Sequence, residues 1–145
     1  MRYELCTPLE ATQACAGLIN DAWIEAGQPE TDRLELDYSI YEALSEAGSF
    51  AYLAKDGDTL AGYVVVFMTM VPHTSARIAT NDVIYVRPSY RPRGIGGRLI
   101  VLAEAEARRR GALRFQWACN VGSHLHRALA KRPHTMQQIV IERQL

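Results

Sequence analysis

The segment from residue 83 to residue 99 constrains the fold of this chain more than any other stretch. An apolar run that ends at Val86 is followed by a loop rich in Arg and Gly, and a helical pattern starts directly on the loop's last glycines. The first backbone N–H groups of a helix lack partners inside it, and the helix dipole adds positive potential there. Glycine lets this backbone approach a ligand without an obstructing Cβ. The segment therefore predicts a strand, a phosphate-binding loop and a helix in succession.

Arginine side chains strengthen the phosphate-binding interpretation, because their forked N–H donors suit phosphate oxygens. The arginines around the loop are Arg87, Arg91, Arg93 and Arg98. Two other phosphate motifs are excluded. A dinucleotide-binding G-x-G-x-x-G would need glycine where Leu99 stands, and a P-loop would need a Gly-Lys-Ser/Thr run that the sequence lacks. A simpler alternative stays open, in which a Gly-rich turn only caps a helix and its arginines are solvated.

The rest of the chain supplies the elements of a mixed sheet. Strand-like patterns cover residues 2–6, 50–54, 60–70, 77–86, 113–119 and 136–143. Helical patterns cover residues 9–23, a stretch from an N-cap at Asp32 to Gly48, and residues 96–110 and 123–131. The Asp-Gly pair at 56–57 predicts a hairpin between two of the strands. The order β-α-α-β-β-β-α-β-α-β predicts an α/β or α+β sandwich around a mixed sheet.

Composition predicts one domain over residues 1–145 and gives little sign of unusual partners. Sixteen basic and sixteen acidic side chains give a formal net charge of +0, so no global field favours nucleic acid or an anionic membrane. The three cysteines form no CxxC pair, and His73 has no companion at metal-ligand spacing, so neither a disulfide framework nor a metal site is expected. No signal-like start and no run long enough to cross a bilayer are seen, which predicts a cytoplasmic protein.

The loop also carries a family resemblance. The run Arg91-x-x-Gly94-x-Gly96 resembles the R/Q-x-x-G-x-G/A pyrophosphate motif of the GNAT N-acyltransferase superfamily. The preceding Val86-x-Pro88-x-x-Arg91 resembles that family's lead-in from its fourth strand. Asn120 falls where many members place an asparagine that touches the pantetheine arm. The motifs cover about residues 80–130, the element order extends the similarity over nearly the whole chain, and short phage- or prophage-type members look most similar.

This resemblance implies a fold, a reaction and a cofactor site. The fold is a mixed, mostly antiparallel central sheet flanked by helices. The reaction is transfer of an acyl group, usually acetyl, from acyl-coenzyme A to a primary amine by direct attack, with acetyl-coenzyme A as co-substrate and no metal. The residues expected to bind coenzyme A are Ile84, Tyr85, Val86, Arg91, Arg93, Gly94, Ile95, Gly96, Gly97, Arg98, Asn120 and Arg127.

The resemblance also implies catalytic residues, with one departure. Asp82 lies where many members carry an acidic residue that relays protons through water, so it is the expected base; its alternative role is to bind a neighbouring arginine or solvent. Many members place a tyrosine general acid seven residues after the asparagine, where this chain has Arg127. His126 and His124 are the candidate acids in its place, because histidine titrates near neutrality. Ser123 and protonation by solvent remain alternatives.

The acceptor side is less defined. Residues 132–134 lead straight to one terminal strand where members often have a hairpin, which favours an open site for a bulky amine. A small molecule, a protein amine and a modified nucleotide all stay possible acceptors. Trp23, Tyr38 and Tyr41 either border this cleft or pack in the core. A non-catalytic module of the same fold that binds coenzyme A or a protein remains the alternative function, and homodimer formation is left open.

Overall fold

Helices flank both faces of one mixed sheet. The computed structural model describes residues 1–27, 34–143 and 145. Its elements, in chain order, are β1 (Arg2–Cys6), α1 (Pro8–Ala14), α2 (Ala16–Glu25), α3 (Tyr38–Glu46), β2 (Phe50–Asp56), β3 (Thr59–Val71), β4 (Ala76–Val86), a 3-10 turn (Pro88–Arg93), α4 (Ile95–Arg109), β5 (Arg114–Gln116) and α5 (His124–Ala130). The described strands form a five-stranded sheet in the order β1-β2-β3-β4-β5. Neighbours from β1 to β4 are antiparallel, and β5 is parallel to β4, so the predicted fold class is confirmed.

Each face of the sheet carries its own hydrophobic core. One core joins α4 to the sheet through buried side chains that include Ile95, Leu99, Ala103, Val64 and Val66. The other joins α1 and α2 to the opposite face through Ala11, Cys15, Leu18, Tyr63 and Val65. Successive residues of a strand point to opposite faces, which explains why β3 is continuously apolar from Tyr63 to Met68. The predicted hairpin at residues 56–57 joins β2 to β3.

The first helical region differs from the sequence prediction. Residues 9–23 were expected to form one helix, but the chain leaves helical geometry at Cys15 and forms α1 and α2 instead. Helical periodicity runs through the break, because the apolar positions on either side of it face the same core. Thr7 and Glu10 form a capping box at the start of α1.

The second helix begins later than expected. The predicted N-cap, Asp32, lies outside the described residues. Asp37 caps α3 instead, since its Oδ1 accepts a hydrogen bond from the backbone N–H of Ser39 at 3.0 Å. The predicted helix end at Gly48 agrees with the observed last residue, Glu46, within the usual fraying of helix ends.

The last predicted strand is wrong. Residues 136–143 have no regular secondary structure, and Ile139, Val140 and Ile141 are exposed. Strand propensity reflects a fit to a paired, half-buried surface, so a β-branched run needs a sheet edge beside it. The strand at the nearest edge, β5, is only three residues long and offers too short an edge within this chain.

The i,i+4 spacing of Glu104 with Arg108 and of Glu106 with Arg110 predicts two ion pairs on α4, and their outcomes differ. The Glu106–Arg110 pair is confirmed, with 2.6 Å between Oε1 and Nε. Glu104 does not pair with Arg108; its carboxylate binds the guanidinium of Arg132 and the indole N–H of Trp117. The Glu104 carboxylate therefore connects Arg132, just after α5, to α4. No helix among the described residues is long and apolar enough to cross a membrane.

Candidate active site

A β-bulge sets the direction of Asp82. In the pairing of β3 with β4, Val65 lies opposite Val83 and Val66 lies opposite Asn81, which leaves Asp82 as the extra residue of β4. Strict alternation would send Asp82 and Val83 to opposite faces of the sheet. Both instead line the same cavity, on the face covered by α2. The bulge therefore re-aims the carboxylate that the sequence analysis proposed as the base.

The pairing of β4 with β5 ends just before this bulge. They pair only over residues 78–80 and 114–116, so the strand predicted over 113–119 is shorter than expected. Beyond these pairs, the side chain of Asn81 takes over the contact between β4 and the residues that follow β5. Its Nδ2 donates to the carbonyl of Ala118 at 3.1 Å, and its Oδ1 accepts from the N–H of Ala118 at 2.7 Å. Past this contact no ladder joins the two segments within the described residues, and we call this unpaired side of β4 the gap.

Backbone groups of β4 face this gap. The N–H of Arg87 donates to the carbonyl of Ala61 in β3 at 2.9 Å. Because the backbone groups of an antiparallel strand alternate in direction, those of Ile84 and Val86 point away from β3. The carbonyl of Val86 accordingly accepts a hydrogen bond from Nε of Arg91 at 2.9 Å. The end of β4 thus presents backbone groups without a strand partner on the side of the gap.

The start of α4 has the bare amides that the sequence predicted. Gly94 is the N-cap, with φ of 73° in the left-handed region, and its carbonyl accepts from the N–H of Arg98 at 3.1 Å. For the amides of Ile95, Gly96 and Gly97, no acceptor exists within the described part of the chain. A Cβ at Gly97 would meet nothing within 4 Å, so this surface is open. An anion can reach three adjacent N–H groups here.

The loop arginines are held in different ways. Arg91 forms an ion pair with Glu25 of α2 at 2.5 Å, and Arg93 forms one with Asp56 at 3.0 Å. Both pairs are solvent-exposed, and such pairs contribute only about 0–1 kcal/mol, so a phosphate can compete for the guanidinium groups. Arg98 is exposed and has no carboxylate partner among the described residues.

The predicted residues after β5 lie in a separate loop and helix start. Asn120 donates through Nδ2 to the carbonyl of Ala26 at the end of α2, at 3.2 Å. Arg127 binds the carbonyl of Gly122 and lies 3.3 Å from Nδ1 of His124. These contacts attach the loop after β5 to α2 and to the start of α5.

His126 is already engaged at both ring nitrogens. Its Nδ1 accepts from the N–H of Gly122 at 3.0 Å, which leaves the imidazole proton on Nε2, facing Oε1 of Gln137 at 2.9 Å. Nδ1 of His124 lies 3.3 Å from a guanidinium nitrogen of Arg127, so this ring nitrogen is placed to accept from Arg127. The assignment of either histidine as the acid stays a prediction, and these contacts argue against it.

A cavity of about 330 Å³ lies beside the bulge, between the sheet and the α2 side. Asp82 and Tyr41 both line it, and the Tyr41 hydroxyl donates to Oδ2 of Asp82 at 3.2 Å. Asp82 is solvent-exposed as a residue, while the protein atoms around its carboxylate exclude part of the surrounding water. Burial therefore raises the pKa of the Asp82 carboxyl, and the hydrogen bond from Tyr41 offsets part of that rise. Burial and the charge of Asp82 raise the pKa of Tyr41 to about 12.

Several residues of this region were missed by sequence reasoning. Tyr63 lines the cavity, Asn81 holds the strands where they separate, and Glu25 pairs with Arg91. Tyr63 stands in an uninterrupted apolar run that only indicates a buried strand, so no local signal marks it. For Trp23, Tyr38 and Tyr41, the sequence left open whether they border the acceptor cleft or pack in the core. Trp23 and Tyr41 line the cavity, whereas Tyr38 is exposed at the start of α3.

The fold and the site together define an acyltransferase of the coenzyme A-dependent type: a mixed sheet whose fourth and fifth strands separate beside a helix start with free amides. Residues 13–132 match the family described as Acetyltransferase (GNAT) family. The chain belongs to this family and is an acetyl-coenzyme A-dependent N-acetyltransferase. The predicted family, reaction class and co-substrate are confirmed.

Solved structures share the fold at low sequence identity. An aminoglycoside acetyltransferase from an uncultured soil metagenomic sample has a TM-score of 0.76 at 13% identity, over 99% of this chain and 95% of that one. A predicted acetyltransferase from Clostridium acetobutylicum, solved with acetyl-coenzyme A, has a TM-score of 0.76 at 11% identity. The match covers 97% of this chain and 95% of that one. A ribosomal-protein-alanine N-acetyltransferase from Brucella melitensis biovar Abortus 2308 has a TM-score of 0.67 at 22% identity. The match covers 98% of this chain and 99% of that one. No curated protein sequence matches this chain.

Proposed function

We propose that this acetyltransferase acetylates a primary amine bound in the cavity beside Asp82, with Asp82 as the base. The β4 bulge is the observation that carries the proposal. It turns the Asp82 carboxylate into the cavity, while the backbone of Ile84 and Val86 stays open toward the gap between β4 and β5. An amine in the cavity and an acyl group in the gap would meet at this stretch of β4. The acceptors named for the solved neighbours differ, so fold similarity does not select one.

The groups beside the gap suit coenzyme A along its length. The backbone of Ile84 and Val86, which no neighbouring strand pairs on this side, can bind the amides of the pantetheine arm as a further strand would. The free amides at 95–97 suit the pyrophosphate, and so does the exposed guanidinium of Arg98. Bound there, acetyl-coenzyme A supplies an acyl group that is already activated as a thioester. The remaining proposed contacts are Tyr85, Arg91, Arg93, Gly94, Asn120 and Arg127.

Asp82 has to remove a proton before the amine can attack, because a free alkylammonium has a pKa of about 10.4. Its raised pKa makes the carboxylate a stronger base than an ordinary aspartate. The nitrogen lone pair then forms the C–N bond while the C–S bond breaks, and the electron pair of that bond leaves with sulfur. A second proton departs from nitrogen and one proton reaches sulfur, so that amine and thioester become amide and thiol.

The other catalytic tasks fall to backbone and solvent. A backbone N–H of Ile84 or Val86 faces the gap and is the proposed donor to the carbonyl oxygen as it gains negative charge. For the leaving sulfur we propose protonation by solvent, because ring nitrogens of both His124 and His126 already contact Arg127, Gly122 and Gln137.

Replacement of Asp82 by asparagine tests the base. Asp82→Asn keeps the size of the side chain and an oxygen that can accept from Tyr41, but removes the proton acceptor. We expect kcat/KM for the amine to fall by about 10²–10⁴-fold, the usual range for loss of a general base. The dissociation constant of coenzyme A should stay within about twofold, because Asp82 lies outside the coenzyme A-binding groups.

Asp58→Asn, in the exposed hairpin turn between β2 and β3, is the matched control and should behave as the wild type. Burial raises the Asp82 pKa, so the folded state binds this proton more tightly, and the contribution to stability is lost as pH rises through the raised value. The variant should therefore not melt at a lower temperature at neutral pH. Unchanged turnover in Asp82→Asn would remove Asp82 as the base. Coenzyme A binding without turnover on any amine would overturn the proposed function.

A further inference from the structure

A second cavity adjoins the cavity beside Asp82. It has a volume of about 240 Å³, and its apolar wall includes Ile40 of α3 and Phe67 of β3. The residues that line both cavities are Glu35, Leu36, Tyr41 and Asp82. Because Asp82 lines both, an acceptor whose amine reaches this carboxylate can extend into either cavity.

The charged side chains described in the two linings are all acidic. Glu35 lines both cavities with Asp82, and Asp37 lines the second one. No Lys, Arg or His stands among the described residues of either lining. Glu35 and Asp37 are solvent-exposed. Hydrogen bonds from the side chain and backbone of Ser39 lower the pKa of Asp37, so its carboxylate stays ionised at neutral pH.

These carboxylates decide which acceptors the cavities favour. Charges of one sign in a cleft attract cations and repel anions. An acceptor with a single amine brings one positive charge to Asp82, but it displaces water from Glu35 and Asp37 without compensating their charge. A second cationic group on the same molecule replaces that water with an ion pair. The cavities therefore favour an acceptor with more than one positive charge.

We infer that the acceptor is a primary amine with at least one further cationic group, and that Glu35 and Asp37 determine this specificity. The inference rests on the proposed function and names the class of amine. The reacting nitrogen lies beside Asp82 and the second cation beside Glu35, while apolar side chains such as Leu36 contact the carbon chain between them. Linear polyamines and polyamine sugars share this chemistry.

Three acceptors with the same five-carbon chain test the second charge. The molecule 1,5-diaminopentane adds a cation to pentylamine, and lysine adds a carboxylate to 1,5-diaminopentane. We expect kcat/KM for 1,5-diaminopentane to exceed both others by about 5–25-fold, up to about fivefold for each exposed carboxylate that the second cation meets. The advantage should shrink in high salt because the charges are then screened. Spermidine and kanamycin, in the same assay, distinguish a linear polyamine from a polyamine sugar.

Removal of the two negative charges tests the residues. Glu35→Gln and Asp37→Asn change the side-chain size little, and asparagine still caps the start of α3. KM for 1,5-diaminopentane should rise by up to about fivefold in each variant, and the double variant should no longer prefer the diamine to pentylamine. The value of kcat should change little, because Asp82 is intact. Glu46→Gln, exposed at the other end of α3 and outside both linings, is the matched control and should keep the wild-type preference.

Equal kcat/KM for pentylamine and 1,5-diaminopentane in the wild type would overturn the inference. So would a preference for the diamine that persists in the double variant, because Glu35 and Asp37 would then not be its cause. A higher kcat/KM for lysine, or for a peptide that begins with alanine and has no second cation, would also overturn it. Failure of the proposed function gives a different result, since no amine would then turn over in any variant.

Discussion

The two sides of β4 are built in opposite ways. The proposed coenzyme A side comes mainly from one continuous stretch, residues 84–98, in which a strand end, a turn and a helix start follow each other, and Asn120 and Arg127 add to it from farther along the chain. The acceptor side is assembled from four separate elements that contribute Trp23, Tyr41, Tyr63 and Asp82. A site made of consecutive residues can be recognised from spacing, whereas a site made of distant residues depends on how the sheet pairs. A substitution on one side should therefore leave ligand binding on the other side unchanged.

The largest effect is expected at the start of α4. Gly94→Glu places a carboxylate beside the free amides, so coenzyme A affinity should fall at least about 100-fold by calorimetry, through charge repulsion and blocked approach. The positive φ of Gly94 adds strain of about 1–2 kcal/mol. Gly111→Glu is the matched control, because it also has positive φ and open space, at the other end of the helix. Equal loss of affinity in both variants would contradict the assignment of the loop.

The next effect should couple the two sides. Asn81→Ala removes two hydrogen bonds to Ala118 at the point where β4 and β5 separate. We expect the free energy of unfolding to fall by about 1–3 kcal/mol, and KM to rise for both amine and acetyl-coenzyme A. Asn20→Ala, on the exposed surface of α2, serves as control in the same denaturant titration. A change in only one KM would mean that Asn81 does not organise both sides.

A smaller effect is expected from pH, which should change the reaction of the amine but not the binding of coenzyme A. Catalysis needs the ionised Asp82, whose pKa burial raises, so kcat/KM for the amine should rise with pH through a value above that of an ordinary aspartate. Below this value the rate should fall tenfold per pH unit, while coenzyme A binding, followed by calorimetry over the same range, should show no matching step. An Asp82→Asn profile that keeps the step would assign it to another group.

The smallest effect should be seen at the ion pair between α2 and the loop. Glu25→Gln releases Arg91 and removes a negative charge near the proposed pyrophosphate site. Exposed pairs contribute about 0.2–1 kcal/mol, so coenzyme A should bind up to about fivefold more tightly at low salt. The gain should vanish in high salt because the charges are then screened. Weaker binding would instead show that Glu25 supports the loop.

A structural feature was predicted correctly from sequence when the residues that form it are close together along the chain. The helix start at Gly94, the hairpin at 56–57 and the central strands depend on local conformation and periodicity, and all were predicted. The strand at 136–143 failed because strand formation needs a partner edge, which periodicity cannot supply. The break at Cys15 was hidden, since both helices keep the same apolar face.

The amino-acid order alone was enough to identify the family and to mark the proposed anion-binding loop, because both depend on residue types at short, regular spacing. Asp82 became a candidate base only through the resemblance to that family. The orientation of Asp82, the hydrogen bond from Tyr41 and the two cavities that both carboxylates, Asp82 and Glu35, line came only with the folded sheet. One extra residue in β4 turns a side chain from one face to the other, and the register that creates this bulge is a property of two paired strands rather than of either one.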